Sequence, residues 1–118
     1  MMDVNIASFA SAVVNPDEVI QVKIPSLWVI TSVSLVVTDD LPINERVVLY
    51  ASPVKEDGTY DNKIAIAPLR VGTCEVINVD YEINKSSPMV FYTNGAKIPV
   101  SINGYTITPE PLVIEKVN

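Results

Sequence analysis

Apolar and polar residues alternate along most of this chain, and the alternation marks short strands rather than helices. Residues 19–24 place Ile20, Val22 and Ile24 on one side and Gln21 and Lys23 on the other. Residues 27–38 form a longer run. In it Leu27, Val29, Val33, Leu35 and Val37 share one face, read as the aliphatic core face, and Trp28, Ile30, Ser32, Ser34 and Val36 share the other. Residues 45–52 gather Val47, Leu49 and Ala51, and residues 63–67 carry Ile64 and Ile66. Residues 74–83 alternate most cleanly: Ile77, Val79, Tyr81 and Ile83 point inward, while Asn78, Asp80 and Glu82 point outward. That pattern predicts a sheet with one face in water. Residues 89–93, 97–102 and 112–117 complete the series, and a first strand is expected within residues 6–14.

Composition sharpens the class. Val and Ile together number 32 and Leu only 6. β-Branched side chains suit a pleated surface and lose rotamer freedom in a helix. Nine prolines leave no long uninterrupted helical stretch. Asn94-Gly95 and Asn103-Gly104 read as short-loop signals, because Asn and Gly tolerate positive φ. Glu56-Asp57-Gly58 and Asp39-Asp40-Leu41-Pro42 read as polar loops. The expectation is an all-β chain: a single-domain antiparallel β-sandwich or jelly roll of about eight strands over residues 1–118, without internal repeat. Two strands carry apolar residues on both faces, Trp28 with Ile30 and Val36 on one, Val90 and Tyr92 opposite Met89 and Phe91 on the other. Either a second sheet or a second copy of the chain supplies that cover.

Charge and chemistry exclude more than they point to. The net charge is −6, against duplex-binding or anionic-membrane surfaces, which need clustered positive charge. The start Met1-Met2-Asp3-Val4-Asn5 lacks the basic region of a secretory signal, and residues 24–38 are too short and too interrupted to span a bilayer, so a soluble protein or part of a soluble assembly is expected. Histidine is absent and Cys74 is the one cysteine, which leaves no internal disulfide, few zinc ligands and no Ser-His or Cys-His nucleophile pair. Asp57, Asp61 and Asn62 offer oxygen donors for calcium but lack the spacing of a calcium loop, and read as ordinary turn residues. Asp39 and Asp40 as paired acid–base carboxylates give way to a solvated loop, and Cys74 as a thiolate to a small buried hydrophobe. Arg46 and Arg70 suit an interface anchor or, more plainly, surface ion pairs. No catalytic, cofactor-binding or metal residues are assigned.

The order Ile64-Ala65-Ile66-Ala67-Pro68-Leu69, the alternating stretch 76–83, Pro88-Met89-Val90-Phe91-Tyr92, and Ile98-Pro99-Val100-Ser101-Ile102-Asn103-Gly104-Tyr105 resembles the second half of the nucleoplasmin-like core domain, found in nucleoplasmins and at the front of some nuclear immunophilins. Ser8-Phe9-Ala10-Ser11 with Val14, and Ile24-Pro25 with Ile30-Thr31, resemble its first two strands. The resemblance implies an eight-stranded jelly roll that forms a ring of five. Histone-binding members carry long acidic runs; here no acidic run is longer than a pair, such as Asp17-Glu18 and Asp39-Asp40. The chain also continues into an apolar segment, 112–117. Weighing these departures, the leading expectation is a non-enzymatic structural protein of a virion: a phage capsid decoration, cement or vertex component that contacts itself and other virion proteins. The alternative is a nuclear, pentameric histone-chaperone core with core histones as partners. Neither reading calls for a cofactor, direct nucleic acid or a membrane. The terminal stretches 4–14 and 112–117 are expected to carry the association, as edge strands do.

Overall fold

A computed structural model describes residues 8–86 and 88–117. It contains nine strands: β1 (Ser8–Val14), β2 (Ile20–Lys23), β3 (Leu27–Leu35), β4 (Arg46–Pro53), β5 (Ile64–Arg70), β6 (Val76–Asn84), β7 (Met89–Gly95), β8 (Val100–Thr106) and β9 (Val113–Lys116). They form two antiparallel sheets, one of four strands in the order β1-β8-β3-β6 and one of five in the order β5-β4-β7-β2-β9. The thinnest dimension is 20 Å, the depth of two sheets about 10 Å apart with their outer side chains. The all-β sandwich is therefore as the alternation predicted. The part of the first strand before residue 8 lies outside the described residues.

The core fills the space between the sheets. Ala12, Val14, Trp28, Ile30, Val33, Leu35, Val100 and Ile102 project from the four-stranded sheet, and Ile20, Val22, Val47, Leu49, Ala51, Leu69 and Phe91 from the other. Trp28 is fully buried and meets Phe91 edge-on, with ring centroids 6.1 Å apart at 79°. Its indole N–H donates to the Ala10 carbonyl at 3.3 Å, which satisfies the one polar atom the ring brings into the core.

This placement corrects the reading of β3. A strict two-residue period set Trp28 and Ile30 opposite Val33 and Leu35. The pairing of β3 with both β6 and β8 shifts between Ile30 and Ser32. Against β8, where Ile30 pairs with Gly104 and Ser32 with the next residue Asn103, Thr31 is the extra residue of a bulge, and a bulge inverts which alternate positions face inward. Trp28 and Ile30 before it and Val33 and Leu35 after it all enter one core. A second copy of the chain is not needed to cover Trp28.

A second correction concerns Asn103-Gly104. It is not a turn but the middle of β8, so that strand runs to Thr106 instead of ending near residue 102. β8 lies between β1 and β3, and Gly104 pairs with Ala10 on one side and Ile30 on the other. A Cβ at Gly104 would stand 1.9 Å from the Val29 carbonyl oxygen, so only glycine lets the bulged β3 approach. Asn103 donates from its amide to the hydroxyls of Ser34 (3.2 Å) and Ser32 (3.4 Å) and accepts from Ser101 (2.7 Å). Asn94-Gly95, by contrast, does end its strand, and Gly95 has φ +122.

Candidate interaction surfaces

The two sheets leave two flanks and two ends for contact with other molecules. One end is built from the loops after β1, β3, β5 and β7. Asn44 adopts φ +71 and its N–H donates to the Val71 carbonyl at 3.1 Å, tying the 36–45 loop to the turn after β5. Arg70 donates to the Asn44 carbonyl at 2.9 Å, so its described partner is a backbone oxygen and not the expected ion pair. Glu75 accepts from the Gly72 N–H at 2.8 Å. Asp39 and Asp40 are both exposed in this loop, Asp40 accepting from Thr38 at 3.0 Å, and Glu45 is exposed beside them. Asp80 and Glu82 extend the acidic surface along the outward face of β6. Asp39, Asp40 and Glu45 lie exposed in one loop and Asp80 and Glu82 on one strand, and together they form a solvated negative surface.

The cations are partly occupied elsewhere. Lys23 pairs with Glu115 at 3.2 Å, Lys116 with Glu18 at 3.0 Å, and Lys97 with Asp17. The Lys116 hydrogen bond, then the Asn15 amide, hold the Glu18 carboxyl below its ordinary pKa. Asp57 accepts from the Thr59 hydroxyl at 2.6 Å and the Thr59 N–H at 2.9 Å, which lowers its pKa as well. Asp61 accepts from the Asn62 N–H. The oxygens weighed for calcium thus serve the β4–β5 loop, where Gly58 takes φ +86 and Lys55 bridges to Thr59. Cys74 sits half-buried in the turn after β5, bridged to Arg70, and not in the core as expected.

On the outer face of the five-stranded sheet, Tyr50 and Tyr92 stack with centroids 5.6 Å apart at 20°. The Lys63 ammonium lies 4.7 Å from the Tyr50 ring centre. Val90 is 1% exposed although it faces away from the core. It shares a cleft with Val19 and residues Tyr60, Asp61, Asn62 and Lys63 of the returning β4–β5 loop. The chain's own loop, not another molecule, supplies much of the cover that the sequence left open.

The flanks are apolar. Phe9 on β1 is 77% exposed and borders a shallow depression with Ala10, Pro111, Leu112 and Ile114. On the opposite flank, between β5 and β6, a cavity of about 220 Å³ opens beneath Ile64 and Tyr81. The sequence marked β1 and β9 as edges but gave no sign of this cavity, because it depends on how far the edges of two sheets stand apart.

The nucleoplasmin-like domain family model matches residues 9–107. This chain belongs to the nucleoplasmin-like family. The match overturns the expectation of a virion decoration protein, which rested on small size, a general jelly-roll likeness and the lack of a long acidic run. The fold of the nucleoplasmin-like chain recurs in solved structures. The Drosophila NLP core, whose crystal structure bears on pentamer formation and histone binding, superposes with a TM-score of 0.68 at 22% identity, over 88% of this chain and 99% of that one. The nucleoplasmin-like N-terminal domain of Drosophila FKBP39 gives 0.69 at 19% identity, over 92% and 97%. No curated protein sequence matches this one. β9 lies beyond the family match and adds a fifth strand to its sheet by pairing with β2.

Proposed function

We propose that this nucleoplasmin-like chain is a non-enzymatic assembly domain, a ring-forming histone-chaperone core that works in the nucleus with core histones as its partners. The observation that carries the reading is the family match across residues 9–107. The net charge of −6 has the sign a histone partner requires, and Asp39, Asp40, Glu45, Asp80 and Glu82 place part of it on exposed surface. The absence of histidine, which leaves Cys74 without an imidazole to activate it, supports a binding role over nucleophilic catalysis.

The mechanism is electrostatic capture. Each surface carboxylate attracts a basic side chain weakly, and a ring multiplies the contact by presenting the same surface several times. Because the acids are dispersed, binding falls steeply as salt screens them. The test is a titration of labelled core histones with the full chain at low and physiological ionic strength. The expected result is saturable binding that weakens with salt. Replacing Asp39 and Asp40 with lysine is expected to weaken it by about tenfold at low ionic strength. Binding that is absent at both salts would contradict the proposal.

A further inference from the structure

The β5/β6 cavity and the exposed Phe9 account for each other. β1 and β6 are the two opposite edges of the four-stranded sheet. Three strand spacings, about 14 Å, separate them, so a chain's own Phe9 cannot reach its own cavity. The cavity is lined by Leu49, Ile64, Ile66, Tyr81, Met89 and Phe91, among others, with Glu82 the one charged group. It reaches residues that the core otherwise buries completely, such as Leu49 at 0% and Phe91 at 1% exposure. An unfilled apolar space of this size destabilises a fold through lost contacts. A dry apolar cavity of about 150 Å³ accepts a benzene ring, so 220 Å³ leaves room for a phenyl group.

Phe9 is that group presented outward. Tyr105 lies directly across from it on β8, and Tyr105, Ile107, Val113 and Ile114 are all substantially exposed nearby. No charged side chain lines the depression beside Phe9. A projecting apolar side chain and a matching recess on opposite flanks of one molecule make a head-to-tail contact, which closes into a ring when the rotation per copy allows. We infer that the β5/β6 cavity is the seat for Phe9 of a second copy, and that this knob and recess is the repeating contact of the assembly. The inference rests on the ring reading above and assigns its interface.

Sedimentation velocity of Phe9→Ala beside the unchanged chain tests it. Phe9 is exposed, so the variant is expected to keep the far-ultraviolet spectrum and melting temperature of the parent. Its self-association is expected to weaken at least tenfold, while Val13→Ala, on the same strand and also exposed, assembles normally. An independent readout keeps Phe9 and uses the Cys74→Ser chain carrying both Ser11→Cys, beside the Phe9 knob, and Ile64→Cys, at the rim of the recess. Oxidation is expected to give a ladder of covalent species extending beyond the dimer, as a head-to-tail contact requires. A Phe9→Ala chain that assembles like the parent, or oxidation that stops at dimers or yields none, overturns the inference and leaves the ring reading standing. A parent chain that remains monomeric overturns both.

Discussion

Gly104 shows how much can hang on one hydrogen atom. Any side chain there meets the Val29 carbonyl oxygen at 1.9 Å and its carbon at 2.8 Å. Gly104→Ala is expected to lower the unfolding free energy by about 2–4 kcal/mol, read from the urea midpoint. An unchanged midpoint would mean the β3 bulge relaxes around a methyl group. The dipeptide looked like a turn because Asn-Gly favours turns wherever nothing else acts on it. Pairing with a strand on each side overrode that preference, and no local pattern encodes such pairing. Asp57 gives a pH prediction. Its pKa is lower in the folded chain than in the unfolded one, so its contribution to stability is present above the unfolded value near 4 and disappears as pH falls through the folded value. Thermal melts should show Asp57→Asn less stable than the parent at neutral pH, with the gap closing below about pH 4. A gap that persists in acid would contradict the assignment of the Thr59 hydrogen bonds. Asp57 is exposed, so the effect is small.

β3 and β9 carry the lessons of whole elements. Most strands were legible in the alternation of apolar and polar residues, although β8 starts and ends later than the 97–102 expected, and the clean face of β6 did stand in water. Which face of β3 lay inside was not legible. A bulge adds one residue without a composition signal, and Thr31 looks like any other strand residue. The consequence is the Trp28–Phe91 pair at the centre of the core. Phe91→Ala is expected to cost about 3–5 kcal/mol in a denaturant titration. A loss under 1 kcal/mol would place Phe91 outside the folding core, contrary to its 1% exposure. β9 is different in kind. All four of its residues are exposed, although it pairs with β2 from Ile20 to Lys23. Ending the chain after Pro109 should therefore lower stability modestly and weaken self-association more, since the Phe9 depression loses Leu112 and Ile114. A truncated chain with unchanged association would contradict this.

At the scale of the molecule, two features decide the account: apolar opposite flanks and a net charge of −6. The charge was open to view in the sequence, and so was the order of motifs that resembles the nucleoplasmin-like core. The lack of a long acidic run drew the first functional expectation away from that resemblance, although the run is not what makes the fold. The apolar flanks were only half legible. Exposed Phe9 and Ile114 sit in recognisable edge strands, but the recess they would meet forms between β5 and β6, which are joined by five residues and belong to different sheets. A chain with complementary opposite flanks is built to repeat itself. The most direct test of the central claim is the mass of the full chain in solution, by sedimentation velocity across a range of concentrations at physiological salt. The account predicts a closed assembly of about five times the 12.9 kDa chain mass that does not grow with concentration. A 12.9 kDa monomer at every concentration would contradict it.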